Sequence, residues 1–178
     1  HLPARPADGH KGIFGRVYIL AGSRQYTGAP LLASRAAVRG GCGLVTLGIP
    51  EGIWPVVAAR CLEEMPQPLP DKGGSLSEIA LQILQKEINR CNALLIGPGM
   101  GRAEETAETI RTLADQATCP LVLDADGINA LEGHIDVLER RRGRITVLTP
   151  HLGEFARLGG RGGEDPLTAA REFALRWG

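Results

Sequence analysis

Five short apolar runs punctuate the chain: Val17–Leu20 (VYIL), Leu44–Ile49 (LVTLGI), Ala93–Ile96 (ALLI), Leu121–Leu123 (LVL) and Ile145–Leu148 (ITVL). They are nearly continuous rather than alternating, the pattern of strands covered on both faces. Helical periodicity fills the gaps. Ala29–Gly40 sets Leu32, Ala33, Ala36 and Ala37 at helical spacing, Leu76–Asn89 repeats Ile79, Ile83, Leu84 and Ile88, and Ala103–Ala117 repeats Ala107, Ile110 and Ala114. Pro66–Gly74 (PQPLPDKGG) reads as a surface connection rather than a domain boundary. Strand alternating with helix predicts an α/β fold: a mainly parallel sheet with helices on both sides. In such folds ligands gather at the carboxyl ends of the strands, so chemistry is sought in the turn after each one.

Composition narrows the function classes. The chain has 178 residues, enough for one domain with a real core, and its 20 basic and 20 acidic residues cancel. No basic excess attracts nucleic acid. No apolar run approaches the roughly 20 residues of a membrane helix. The 24 glycines are unusual, and without a repeat they suggest backbone brought close to a ligand. Cys42, Cys61, Cys91 and Cys119 form no C-x-x-C pair and sit among apolar or small residues, which predicts buried free thiols and a cytoplasmic protein. The Pro-rich opening, residues 1–9 (HLPARPADG), reads as a linker, as though the chain were cut from something longer.

Four post-strand turns hold candidate chemistry. The first, Ala21 to Pro30 (AGSRQYTGAP), is a glycine loop running into a helix start, where free backbone N–H groups favour an anion; a plain strand-to-helix turn fits equally well. It is not a P-loop, because five residues separate Gly22 from Gly28 and Ala29-Pro30 replaces Lys-Ser/Thr. Gly97-Pro98-Gly99-Met100-Gly101 begins like a dinucleotide fingerprint, but Arg102 occupies the third glycine position; Asp124 stands where the ribose-binding acid would be. Next comes Asp124-Ala125-Asp126-Gly127-Ile128-Asn129. Asp126 either lines a site or merely caps the following helix, while Asp124, ending a buried strand, needs a partner. Thr149-Pro150-His151-Leu152-Gly153-Glu154 places an imidazole three residues before a carboxylate, a pair able to meet a hydroxyl, a phosphate or magnesium-bound water.

Each turn is ambiguous alone, but their order is specific. HKGIFG at residues 10–15, then AGSRQYTGAP, GGCGLV at 40–45, GPGMG, DADGIN and TPHLGE resemble, in register, the motif series of the ADP/ATP-dependent NAD(P)H-hydrate dehydratases. The resemblance implies a ribokinase-like three-layer αβα sandwich, with residues 10–178 as the N-terminal portion of the dehydratase domain. It also implies dehydration of (S)-NADH or NADPH hydrate (NADHX, NADPHX) to the reduced cofactor. In that reaction the ring hydroxyl is phosphorylated from ADP or ATP with Mg2+ and phosphate is then eliminated. Carried over by position, Ala29, Gly99, Gly101 and His151 would touch the hydrate, Asp126 and Asn129 would line the same crevice, and Glu154 would organise phosphate and, through water, the metal. A homo-oligomer (a tetramer in many relatives) and a fused hydrate epimerase domain preceding the linker are further implications.

The family's downstream lysine-glycine strand and G-x-G-D segment, whose Asp serves as catalytic base, have no match here. The resemblance therefore places no catalytic residue in this chain, and the expectation is a partial sequence that alone binds nucleotide poorly and catalyses nothing. Three rivals stay open. A small-alcohol (vitamin-precursor) kinase would leave a stable phosphoester. A non-catalytic cofactor-binding or assembly module would keep only the crevice. A Rossmann dehydrogenase would need GPGMG after the first strand of its unit. The dehydratase reading requires the segments around Thr27, Met100 and Pro150 to converge.

Overall fold

A computed structural model describes residues 5–160 and 165–178. Residues 1–4 of the expected linker lie outside it, and residues 5–9 make an irregular segment in which Arg5 stacks on Phe14. In chain order the elements are β1 (Arg16–Leu20), α1 (Gly28–Arg39), β2 (Leu44–Pro50), a 3-10 turn (Glu51–Ile53), α2 (Trp54–Ala58), β3 (Met65–Leu69), β4 (Asp71–Lys72), β5 (Ser75–Leu76) and α3 (Glu78–Ile88). Then follow β6 (Ala93–Ile96), α4 (Glu104–Gln116), β7 (Leu121–Leu123), α5 (Asp126–Asn129), α6 (Asp136–Arg140), β8 (Thr146–Leu148), α7 (Leu152–Arg157) and α8 (Pro166–Trp177). Six strands form one parallel sheet in the order β3-β2-β1-β6-β7-β8. The α/β expectation holds, and the five predicted strands match within a residue or two.

Continuous apolar runs arise because both faces of the central strands are packed. Tyr18 and Leu20 join one core with Leu84, Leu94, Ile96, Leu113 and Leu121, beneath α3 and α4. Ile19 and Ala21 point the other way, into a core with Leu31, Val45, Leu47 and Ile49 beneath α1 and α2. Each fully buried aliphatic side chain stabilises by roughly 1.5–3 kcal/mol before entropy is charged.

Three readings are corrected. Pro66–Gly74 is not a bare connection: Met65–Leu69 is an edge strand parallel to β2, followed by the β4–β5 hairpin. Two prolines hid it, since Pro lacks the N–H a central strand needs but suits an edge. On α1 Pro30, Leu31 and Ser34 are buried and the expected Ala33 and Ala37 pack at the core's margin, but Leu32 is exposed; on α3 the expected Leu84 and Ile88 are buried with Ala80 and Ile83 packs beside them, but Ile79 is exposed. The four thiols are free as expected, but half-buried rather than buried. Among the described residues no helix is long and apolar enough to cross a membrane.

One buried charge anchors the lower edge. Arg141 is fully buried and donates to the carbonyls of Ala114 (2.7 Å), Ala117 (2.6 Å), Cys119 (3.2 Å) and Ile145 (3.4 Å) and to Thr146 Oγ1 (2.8 Å). Burial pushes its pKa down, yet the guanidinium fork finds an oxygen in every direction, two of them at the carboxyl end of α4.

Candidate functional site

The sheet order fixes where a crevice opens. From β1 the chain moves outward to β2 and β3; from β6 it moves outward the other way, to β7 and β8. β1 and β6 are hydrogen-bonded neighbours, so their following turns lead to opposite sides and leave a gap at their carboxyl ends. The two turns there are AGSRQYTGAP and GPGMG, joined across the gap by Gly22 N–H donating to the Pro98 carbonyl at 2.8 Å.

Close approach explains the glycines of the second turn. Gly97 has φ +127°, and a Cβ there would sit 1.9 Å from the Asp124 carbonyl oxygen and 2.3 Å from the Gly127 nitrogen. Gly99, at φ +68°, would meet Tyr26 Cβ at 2.6 Å and Ala29 Cβ at 2.9 Å. The GPG backbone thus lies directly against the start of α1. That helix has no side-chain cap at Thr27 and no acidic residue in its first turn, so its leading amides remain available to an anion. α4, which follows GPGMG, opens instead with Glu104 and Glu105, which oppose a pyrophosphate there. The dinucleotide fingerprint is disfavoured on this ground.

The third turn is locked to the second by a polar relay. Gly101 N–H donates to Asp126 Oδ2 (2.8 Å), Asn129 Nδ2 to Asp126 Oδ1 (3.1 Å), and Arg157 Nη1 of α7 to Asn129 Oδ1 (2.7 Å). Asp126 therefore does not cap α5: the N-cap is Ala125, without a side-chain bond, and Asp126 spends its carboxylate on the neighbouring loop. Ala125 is the one non-glycine residue at positive φ (50°) among the described residues, local strain held by this surrounding network. Asp124 has the partner it needed, Thr149 Oγ1 at 2.7 Å. Gly101, Asp126 and Asn129 line a cleft of about 340 Å3 with Arg102, Arg111 and Glu132.

The fourth turn closes on itself. His151 is the N-cap of α7: its Nδ1 accepts from Gly153 N–H (3.0 Å) and Glu154 N–H (3.4 Å), while Glu154 Oε2 accepts from His151 N–H (2.9 Å). Glu154 is buried; the imidazole is exposed, with Nε2 3.2 Å from Glu154 Oε1. Two bonds tie this turn to the third, Thr149–Asp124 and Arg157–Asn129. Pro150 faces away from the cleft, into an apolar groove with Leu148, Phe155 and Phe173.

The structure thus brings Ala29, Gly99, Gly101, Asp126 and Asn129 together through direct contacts and ties the helix that His151 caps to Asn129 through Arg157. Among the described residues the side chains of His151 and Glu154 themselves bond only to each other and to Gly153. Sequence reasoning missed Ser23, buried beside Gly101, and Arg157, whose distance from Asn129 along the chain gave no signal. It also missed the capping role of His151, although an i to i+3 spacing to Glu is the mark of a capping box.

The sequence profile of the NAD(P)H-hydrate dehydratase family matches residues 17–177. A bifunctional NAD(P)H-hydrate repair enzyme of Salinibacter ruber is 42% identical over 98% of this chain and 33% of its own length. One from Moorella thermoacetica is 41% identical, over 99% and 34%. Among solved structures, a ribokinase-like protein of Enterococcus faecalis superposes with TM-score 0.81 at 25% identity, over 98% of this chain and 59% of that one. The ADP/ATP-dependent NAD(P)H-hydrate dehydratase of Bacillus subtilis, co-crystallised with ATP/Mg2+, gives 0.67 at 30% identity, over 99% and 58%. The chain spans about a third of these curated relatives (33% and 34%).

Proposed function

The chain belongs to the NAD(P)H-hydrate dehydratase family, and from that premise we propose that its crevice holds the hydrated nicotinamide ring of (S)-NADH or NADPH hydrate for ADP- or ATP-dependent dehydration. The ring hydroxyl takes a phosphoryl group from the nucleotide, and the C–O bond then breaks with phosphate leaving, which restores the reduced cofactor. Hydroxide leaves poorly and phosphate well, so the work asked of the protein is positioning and charge stabilisation. The bifunctional name of the relatives supports a companion hydrate-repair activity in the full-length protein.

The observation that carries this reading is the packing of GPGMG between the start of α1 and the Asp126 carboxylate. It puts Ala29, Gly99 and Gly101 side by side, so that a flat ring lying over the turn could touch them together. The free amides of the first turn of α1 suit the phosphates of the substrate or nucleotide. Asp126 and Asn129 hold the walls in register, and the exposed His151 imidazole offers a polar contact at the rim. Magnesium keeps most of its waters and needs one or two carboxylates besides phosphate oxygens, so Glu154 fits a water-mediated role. When bound, the ion would neutralise phosphate charge.

Titration calorimetry of this chain against NADPH hydrate tests the reading, with NADPH and a small primary alcohol as comparators. Saturable hydrate binding is expected, and its absence would sink the assignment. His151→Ala should lose both hydrate affinity and about 0.5–2 kcal/mol of helix capping. His151→Asn should keep the cap and still lose affinity; unchanged affinity in it would remove His151 from the site. In the full-length protein the expected products are dihydronicotinamide absorbance and free inorganic phosphate, whereas a stable phosphoester would mark a kinase.

A further inference from the structure

The end of the sheet opposite the crevice carries a pair of thiols that the proposed chemistry does not use. Cys91 lies just before β6 and Cys119 just before β7. These strands are adjacent and parallel, with Leu94 in register with Leu121, and Leu94 N–H donates to the Pro120 carbonyl at 2.9 Å. The two sulfur atoms are 3.7 Å apart and in hydrogen-bond contact. Both residues are half-buried, packed at the margin of the larger core, so a small oxidant can reach them while a bulky one is hindered.

We propose that Cys91 and Cys119 are an oxidation site, closing to an intramolecular disulfide under a peroxide and reopened by a dithiol. The two sulfurs are not equivalent. The contact with Cys91, in which either sulfur can donate, holds the Cys119 thiol below the usual thiol range; burial opposes this, while the Cys119 backbone N–H and the Arg141 guanidinium, which donates to the Cys119 carbonyl at 3.2 Å, assist it. Cys91 is pushed up by the same contact and by burial. Arg141 cannot swing away, because its remaining donors are held by Ala114, Ala117 and Thr146. With a fixed guanidinium beside Cys119 and the Cys91 thiol directed at the Ile88 carbonyl (3.4 Å), Cys119 takes the part of attacking thiolate and Cys91 that of resolving thiol. The Cys119 sulfur attacks one peroxide oxygen, the O–O bond breaks, hydroxide leaves, and a sulfenic acid remains. The Cys91 sulfur then attacks the sulfenic sulfur, the S–S bond forms, the S–O bond breaks, and water leaves. Two thiols are oxidised by two electrons in all, and one hydrogen peroxide is reduced to two waters.

The other two cysteines make internal controls. Cys42 directs its thiol at the carbonyls of Leu44 (3.1 Å) and Gly15 (3.4 Å). Burial and then the Glu64 carboxylate push the Cys61 thiol up, away from reactivity. The segment that the new bond would enclose contains β6, the GPGMG turn and α4, so the crosslink brackets one wall of the crevice from below.

The test uses the whole chain, reduced and then exposed to hydrogen peroxide. Free thiols counted after denaturation should fall from four to two. Trypsin should yield peptides 91–102 and 112–140 joined, and dithiothreitol should separate them. The oxidised form should melt about 5–10 °C higher, since the closed loop restrains the unfolded chain. Cys91→Ser should trap the sulfenic acid on Cys119, read as a dimedone adduct, and Cys42→Ser should crosslink like the parent. The proposal is overturned if four thiols survive, if Cys42 and Cys61 oxidise as fast as the pair, or if the same link forms equally well in urea-unfolded chain.

Discussion

Replacing Asp126 with alanine tests the central geometric claim, that one carboxylate sets the distance between two walls of the crevice. Its Oδ2 accepts from Gly101 N–H at 2.8 Å and its Oδ1 from Asn129 Nδ2 at 3.1 Å. Hydrogen bonds to a charged group contribute about 1.5–3 kcal/mol each in net stability. Both donors border an open cleft, so water can replace the lost acceptor. The total loss should therefore lie near the low end for a single bond, about 1.5–2 kcal/mol. For a domain of this length each kcal/mol moves Tm by about 2–4 °C, which predicts a fall of about 3–8 °C in a circular-dichroism melt. Asp126→Asn keeps a neutral acceptor and should lose roughly half as much. Amide exchange read by NMR supplies the local signal: Gly101 N–H should exchange faster in Asp126→Ala, and hydrate affinity should fall with it. An unchanged Tm together with an unchanged Gly101 exchange rate would show that the GPG loop is held by its own glycine geometry. The relay reasoning would then be wrong.

Gly97→Ala forces a side chain into positive φ against the Asp124 carbonyl and should cost at least about 3 kcal/mol, seen as a lowered urea midpoint or insoluble expression. Arg141→Met strips five acceptors of one donor group and should cost about 3–5 kcal/mol by urea titration; Arg141→Lys should rescue little, since an ammonium cannot reach all the carbonyls its fork serves. Glu64 gives a pH signature. Burial works to raise its pKa but is outweighed by N–H bonds from its own backbone, Leu62 and Glu63 and by the Ser34 hydroxyl, so the folded value lies below the ordinary one. Its contribution is then complete above the ordinary glutamate range and is lost as pH falls through it toward the folded value, so Glu64→Gln should flatten the acid limb of urea midpoint against pH.

Much of this fold can be read directly from the chain, because burial on two faces writes a local signature. VYIL, LVTLGI, ALLI and LVL are apolar at nearly every step, and they became the central strands, with VYIL and ALLI contributing to both cores. Strand Met65–Leu69 escaped because an edge needs neither a continuous apolar run nor a full set of N–H donors, and MPQPL has neither. Single positions on α1 and α3 were misjudged for a related reason. Leu32 and Ile79 fit a helical stripe in the sequence, but which stripe turns inward depends on the sheet beneath.

The same division runs through the site. By itself the sequence determined which turns carry small and polar residues, and in what order, since those are properties of consecutive letters. Only the tertiary structure decided what those residues do. It turned Asp126 from a possible helix cap into the acceptor of the Gly101 N–H, joined Arg157 to Asn129, and set Cys91 beside Cys119. Each of these pairings depends on which strands become neighbours. That choice is made by sheet order, a balance of nonlocal packing summed over the whole domain, to which no short stretch of sequence has access.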